Sequence, residues 1–183
     1  TKMNYYLGFD AGTQIVKVAV YDENMNCIVS SSAPTTLTYP EPGWVSMDVD
    51  EYLALTIKGM KECASLMKEK GLDVTKIKSI MGDGIICGIC GVDKDGNAIT
   101  PYINYLDSRT KDDVDLVNSW DLDIFGKETG NPEANCMFPA MFARWFLKNI
   151  EGFKFVWFTD GKGWTSAKKN LEETFDVLDS MYN

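Results

Sequence analysis

The sequence predicts an α/β fold in which helices flank a mixed β-sheet. Two observations near the N-terminus indicate this: three short β-rich runs follow one another, and an amphipathic helical pattern comes directly after them. In the middle of the chain, further short apolar runs mix with helical segments. Hydrophobic residues make up 45% of the 183 residues, which is enough for one folded core.

The chain opens with a predicted three-stranded antiparallel meander. Residues 5–10 and 14–21 are β-rich runs joined by Ala11-Gly12-Thr13. Residues 22–26 form a cluster of turn residues, after which residues 27–32 can return as a third strand. The first two runs therefore form a hairpin with a glycine in its turn.

A loop and then a long helix are predicted next. Two prolines and a glycine within residues 39–44 are incompatible with regular structure. Asp48 fits a helix N-cap with an acid, Glu51, three residues later. Gly71 is expected to end the helix. The apolar residues that recur at helical spacing are Leu53, Ile57, Met60, Ala64 and Met67.

The middle of the chain predicts strands followed by helices. Residues 77–82 indicate a short buried strand and residues 89–92 another, and residues 93–97 indicate a hairpin turn of the Asp-Gly type. Residues 107–119 are polar and fit an exposed helix. A second helix is expected to bury Phe138, Phe142, Trp145 and Phe146.

The last part of the chain predicts a strand and a terminal helix. Residues 153–159 are rich in aromatic side chains and fit a strand, and residues 160–163 fit a loop. We expect the strand–helix segment 151–183 to complete the same domain as residues 1–150. The apolar stripe of the terminal helix consists of Leu171, Phe175, Leu178 and Tyr182.

Composition narrows the range of possible partners and locations. The 27 acidic and 18 basic residues give a net charge of −9, and the acids are scattered, which argues against a nucleic-acid partner. The sequence has no apolar run that could span a bilayer and no signal-peptide pattern, so we expect a cytoplasmic protein without membrane contact. The oligomeric state is not indicated.

The five cysteines are expected to be reduced and buried. Cys87 and Cys90 have the C-x-x-C spacing of redox and zinc sites, and such a role is the alternative. The sequence contains no second pair and no histidine to complete a metal site. Without histidine, any proton transfer must use a carboxylate.

The first hairpin has the residue types of a phosphate-binding turn. Small residues at Gly8 and Gly12 let backbone N–H groups approach phosphate oxygens. The carboxylate of Asp10 can hold a hydrated Mg²⁺, and Gly12 and Thr13 can donate to a phosphate. The alternative is an ordinary glycine-containing β-turn.

Four segments in order resemble the FGGY family of carbohydrate kinases. The first is Gly8-x-Asp10-x-Gly12-Thr13 with Lys17 and Asp22, which is similar to the family's first phosphate motif. The others resemble its Pro-Gly-Trp-Val-Glu-Gln-Asp segment, its Asp-x-x-Gly turn and its Ile-x-Trp-x-Asp-x-Arg signature, and they lie at residues 42–48, 93–97 and 101–109. Ser46 and Met47 depart from the second pattern.

The resemblance extends from residue 4 to about residue 149 and implies a ribonuclease H-like domain of the actin/hexokinase type. In the family, ATP and the sugar bind between two such domains, so ATP, Mg²⁺ and a small sugar or polyol are the implied ligands. The implied ATP-binding residues are Asp10, which also serves the metal, Gly12, Thr13 and Lys17. The implied sugar-binding residues are Asp107, Arg109 and Trp44.

Alternatives remain open for the sugar-binding candidates. Asp107 and Arg109 can instead form a helix N-cap with a structural ion pair, and Trp44 can anchor a loop. Residues 83–88 stand where the family often has Ser-Gly-Gln-x-His-Gly, so the identity of the sugar is not implied.

The family's catalytic aspartate and adenosine pocket belong to later parts of a longer chain, so no catalytic residue is assigned. We expect weak or no kinase activity from this chain alone. A non-catalytic chimeric or truncated scaffold that keeps only the fold is the alternative.

The tail raises a separate resemblance. Residues 153–183, particularly 159–164, are similar to the C-terminal end of certain type II restriction endonucleases. The nuclease Pro-Asp and Asp/Glu-x-Lys core is not in the resembling segment, so no nuclease role is implied. A gene fusion, a truncated product or a chimera would explain the junction.

Overall fold

The computed structural model describes residues 3–93, 95–120 and 122–151. The chain divides into two compact units, at residues 1–142 and 143–183. The first unit holds the sheet and every candidate site residue. The predicted strand at 153–159, the loop after it and the terminal helix lie outside the described residues.

The elements follow one another in a mixed order. They are β1 (Tyr5–Ala11), β2 (Ile15–Asp22), β3 (Cys27–Pro34), β4 (Ser46–Met47), α1 (Val49–Glu69), a 3-10 turn (Val74–Lys76), β5 (Ile77–Gly84), β6 (Tyr102–Ile103), α2 (Lys111–Asn118), α3 (Leu122–Thr129) and α4 (Pro139–Asn149). None of the described helices is long and apolar enough to cross a membrane.

Within the described residues, the main sheet has four strands in the order β3-β2-β1-β5. The antiparallel meander of β1, β2 and β3 is confirmed, and β5 adds to β1 in parallel. Alternate residues of β1 and β2 are buried, because one face of the sheet packs against α1. Strands β4 and β6 form a separate antiparallel pair.

Helix α1 begins and ends as predicted. The Asp48 carboxylate accepts a hydrogen bond from the Glu51 amide at 2.8 Å, so Asp48 is the N-cap. Gly71 has a φ of +69°, and its amide donates to the Lys68 carbonyl. This left-handed residue just beyond the helix favours glycine, which is why the helix stops there.

The buried face of α1 matches the predicted one at Met67 and Met60 and differs from it elsewhere. Leu53 and Ile57 are 56% and 42% exposed, whereas Thr56, Gly59 and Cys63 are buried. A Cβ on Gly59 would come within 2.7 Å of Val18 Cγ2, so small residues let the helix approach β2 closely. A pattern of large apolar residues does not detect such an interface.

The prediction of a buried strand at residues 77–82 was correct for the strand and wrong for its burial. Helix α1 packs over β2 and β3 and leaves β5 uncovered. Ile80 and Met81 are 61% and 75% exposed. Among the described strands, β1 is the only one that pairs with β5.

The segments after β5 are less regular than predicted. Residues 89–92 form only isolated bridges, Ile89 to Ile103 and Val92 to Ala98. The hairpin turn at 93–97 is confirmed by the Asp93 amide, which donates to the Asn97 carbonyl.

The helical part departs from the sequence prediction in two places. The helix predicted over 107–119 begins only at Lys111, and its Val114 and Val117 are buried. Helix α3 was not predicted. In α4, Phe142 and Phe146 are buried as expected.

All five cysteines are free, as expected. Cys63 is buried, Cys27 is exposed, and Cys87, Cys90 and Cys136 are intermediate, so the expected burial holds for one of them.

Candidate functional site

The turn between β1 and β2, residues 11–14, is closed tightly. The Gly12 amide donates to the Ile15 carbonyl at 3.2 Å. A Cβ on Gly12 would stand 2.9 Å from that same carbonyl oxygen, so glycine permits the close approach. The Gly12 amide therefore closes the hairpin.

Two backbone amides in this turn have no acceptor in the part of the chain that the structure describes. Among the described residues, the structure gives no hydrogen-bond partner to the Thr13 or Gln14 amide. Backbone N–H groups without acceptors in a turn are suited to binding an anion. Thr13 was predicted as a donor, whereas Gln14 was missed because any residue type supplies an amide.

A row of charged side chains crosses the sheet beside this turn. Asp10 is the register partner of Lys17 on β2 and of Asp83 on β5. Directly paired residues share a face of the sheet, and all three are exposed. The structure thus brings the predicted Asp10 and Lys17 together. Asp83 joins them through a parallel pairing that the sequence pattern does not reveal.

The donor set at Asp10 fits a magnesium ion held partly by other ligands. Among the described residues, no group of three or more His, Cys, Asp or Glu side chains could hold a metal. Carboxylate oxygens are suitable ligands for Mg²⁺, which usually keeps water and phosphate oxygens in its remaining positions. Asp10 can serve such an ion without a complete protein cage.

One tyrosine contacts the turn, and a second lies close to the first. The Tyr52 hydroxyl, on the first turns of α1, donates to the Ala11 carbonyl. Burial, followed by the negative charge of Asp10, raises the pKa of Tyr52 to about 12. Burial also raises the pKa of Tyr102 to about 12, and its buried hydroxyl has no hydrogen-bond partner among the described residues.

The three sugar-binding candidates form one compact cluster. One Asp107 oxygen accepts from the Arg109 amide at 2.8 Å and from Nε at 2.9 Å. The other accepts from Arg109 Nη2 at 2.8 Å and from the Val45 amide at 2.5 Å. The guanidinium lies over the Trp44 ring, 4.0 Å from its centroid.

Burial of the ion pair in this cluster is nearly complete. The Asp107 side chain is fully buried and that of Arg109 is 5% exposed. Asp107 does not cap a helix, because the N-cap of α2 is Thr110. The observed geometry is a buried ion pair that ties the segment after β6 to the loop at residues 43–45.

The C-terminal part of the chain matches a second family. Residues 140–183 match the DpnII restriction endonuclease family. The type II restriction enzyme DpnII of Streptococcus pneumoniae is 56% identical over 36 residues, which are 20% of this chain and 12% of that enzyme. The resemblance seen in the tail is confirmed, and the matched range begins earlier, within α4.

The larger part of the chain matches carbohydrate kinases. The glycerol kinase of Paraburkholderia phymatum is 32% identical over 153 residues, which are 81% of this chain and 29% of that enzyme. The structure of Plasmodium falciparum glycerol kinase with ADP superposes with a TM-score of 0.72 at 24% identity, over 81% of this chain and 29% of that one. The chain thus spans less than a third of the length of these relatives.

These comparisons confirm the predicted ribonuclease H-like fold of the actin/hexokinase type. Residues 5–154, most of the chain, match the N-terminal domain of the FGGY family of carbohydrate kinases. This match includes the first hairpin, the segment before α1 and the Asp107–Arg109 signature. The chain therefore belongs to the FGGY family of carbohydrate kinases, within that family's N-terminal domain.

Proposed function

We propose that this chain provides the phosphate-binding and sugar-binding domain of an ATP-dependent carbohydrate kinase, which phosphorylates a hydroxyl of a sugar or polyol. The observation that carries the proposal is the β1–β2 turn, where the Thr13 and Gln14 amides have no acceptor among the described residues. Such amides favour an anion. The family match supports a nucleotide phosphate as that anion.

The row of charged side chains beside the turn would supply the charges that contact the metal ion and the phosphates. Bound Mg²⁺–ATP would bring the phosphoryl group to be transferred. Asp10 would hold the hydrated metal, and Lys17, its register partner, would contribute positive charge next to the phosphates. Gly12 and Thr13 would shape the turn around the phosphate oxygens.

We place the sugar at the cluster of Trp44, Asp107 and Arg109. The Asp107 carboxylate is engaged by Val45 and Arg109, so its contribution is to fix the guanidinium and the loop. Because the Arg109 side chain is only 5% exposed, the half-buried Trp44 ring would supply most of the surface offered to the sugar. The guanidinium would hold that ring in place. Relatives named glycerol kinase are consistent with a polyol.

We expect weak or no kinase activity from this chain alone. Phosphoryl transfer depends on positioning and on stabilising charge around the transferred group, which requires a complete cleft. The chain spans 29% of the glycerol kinase it matches.

We place the protein in the cytoplasm, in keeping with its free cysteines.

Calorimetric titration tests the proposal. A panel of sugars and polyols is titrated into the chain with and without Mg²⁺–ATP. We expect saturable heats with Mg²⁺–ATP that are lost in Asp10→Asn and kept in Asp112→Asn, an exposed carboxylate on α2. Sugar-dependent release of ADP at the rate of an ordinary kinase would contradict the expected weak activity.

The second candidate is a non-catalytic scaffold that arose by fusion or truncation. It is favoured by the presence of two unrelated family matches in one chain, which overlap at residues 140–154. A chain that binds neither nucleotide nor any sugar in the same titrations, yet unfolds cooperatively, would support this candidate.

A further inference from the structure

Two residues from outside the hairpin hold the β1–β2 turn through hydrogen bonds. Thr35, directly after β3, donates its hydroxyl to the Thr13 carbonyl and its amide to the Gln14 carbonyl. Tyr52, on α1, donates its hydroxyl to the Ala11 carbonyl. Three carbonyl groups of the turn are thus fixed by residues that are distant in sequence.

Fixing a carbonyl also fixes the amide of the next residue. The peptide group is planar and trans, so the C=O of one residue and the N–H of the next point in opposite directions. The Thr35 hydroxyl on the Thr13 carbonyl therefore sets the direction of the Gln14 N–H. In the same way, Tyr52 on the Ala11 carbonyl sets the Gly12 N–H, which closes the hairpin beside Asp10.

The alternative orientation of these peptides would oppose anion binding. If the Thr13–Gln14 peptide rotated, its carbonyl oxygen would replace the N–H and repel a phosphate oxygen. Both holding residues are anchored. Thr35 continues from β3, which pairs with β2, and Tyr52 belongs to a helix whose Cys63 and Met67 are buried against the sheet.

We propose that Thr35 and Tyr52 are positioning residues that hold the β1–β2 turn in its anion-binding orientation, and this rests on the proposed function of the turn. Neither side chain needs to touch the phosphate. Thr35 acts on the Gln14 amide, and Tyr52 acts on the Ala11–Gly12 peptide next to Asp10.

The test compares matched hydroxyl deletions on adjacent residues. Thr35→Val removes the hydroxyl at nearly constant shape, and Thr35→Ser restores it. Thr36→Val is the control, because the Thr36 hydroxyl donates to the exposed Glu51 carboxylate, which lies outside the turn. The chain is labelled with nitrogen-15, and the amide signals of Thr13 and Gln14 are followed during titration with Mg²⁺–tripolyphosphate and with Mg²⁺–ATP. Thermal midpoints are measured for every variant.

We expect Thr35→Val to raise the Kd for both probes about fivefold or more, the equivalent of one lost hydrogen bond. Thr35→Ser and Thr36→Val should bind as the original chain does. Tyr52→Phe should also raise the Kd for both probes, and Tyr21→Phe is its control. This pair provides a second test if Thr35→Val fails to fold. Thr35→Val or Tyr52→Phe chains that have lowered midpoints and unchanged Kd values would overturn the inference.

The outcomes separate the inference from the proposed function. If the original chain binds neither probe, the function proposed for the turn fails, and the inference fails with it. If the original chain binds and the deletion variants bind equally well, only the positioning role is wrong.

Discussion

The ring of Phe9 on β1 lies over Gly82 on β5. The two residues are register partners in the parallel pair, and a Cβ on Gly82 would stand 2.1 Å from Phe9 Cζ. An aromatic ring over a cross-strand glycine fills the space that the missing side chain leaves. The contact therefore specifies the register that brings Asp83 beside Asp10.

Gly82→Ala should destabilise the protein by about 1 to 3 kcal/mol, because the Phe9 ring must leave its position. Gly84→Ala is the matched control on the same strand, since its Cβ would meet the Ala11 carbonyl oxygen at an ordinary 3.5 Å. Urea unfolding of the two variants measures the difference. Equal stability of both variants would contradict the packing described here.

Two turns of this protein share one hydrogen-bond pattern. Asp22 accepts from the Asn26 amide and side chain, and Asp93 accepts from the Asn97 amide and side chain. The fourth residue of each turn has a positive φ, +63° at Met25 and +86° at Gly96. One turn therefore places methionine where the other places glycine.

Met25→Gly should stabilise the chain by up to about 1 kcal/mol. The substitution relieves the strain of a Cβ in the left-handed conformation, and this gain should exceed the cost of glycine's greater chain entropy in the unfolded state. Met25 is 72% exposed, so little packing is lost. The reverse change, Gly96→Ala, should destabilise by a similar amount, because open space surrounds that Cβ and only the φ matters. Chemical unfolding of both variants provides the measurement, and changes of the same sign would refute the strain at Met25.

Much of the fold could be predicted because its signals are local. The meander follows from alternating β-rich runs, and the ends of α1 follow from Asp48 and Gly71. The exposure of Ile80 could not be predicted, because it depends on where α1 crosses the sheet. Likewise, Gly59 carries no hydrophobic signal although α1 packs through it.

The candidate site was predictable where a motif is contiguous. Asp10, Gly12 and Thr13 are neighbours in sequence and remain neighbours in the turn. Asp83 and Thr35 reach the same turn only through strand pairing and a long-range hydrogen bond. A single sequence does not encode such partners in any short pattern, so the residues that support the site were missed.

Acid should weaken the turn at residues 22–26, which Asp22 stabilises. Hydrogen bonds from the Asn26 side chain and then from its amide lower the pKa of Asp22 below its ordinary 3.8. A carboxyl with a lowered pKa in the folded state stabilises the protein above pH 3.8 and loses that contribution as the pH falls through the folded-state pKa. Thermal midpoints of the original chain and of Asp22→Asn should therefore converge between about pH 5 and pH 2. A constant gap over this range would show that the charge of Asp22 is not involved.

The buried pair of Asp107 and Arg109 should dominate the response of the candidate sugar site to mutation. Asp107→Asn removes the carboxylate charge that faces a guanidinium only 5% exposed, and it places an amide donor near the donors of Val45 and Arg109. We expect a loss of about 3 to 5 kcal/mol in the free energy of unfolding, as for other buried pairs that lose one partner. Asp115→Asn is the control, because its pair with Lys111 is exposed and screened by solvent, so its loss should change the free energy of unfolding much less. Urea unfolding of both variants at two salt concentrations measures these costs. The loss of stability in Asp107→Asn should persist in high salt. Similar small losses in Asp107→Asn and Asp115→Asn would contradict the prediction, because the cluster would then tolerate an open, hydrated Arg109.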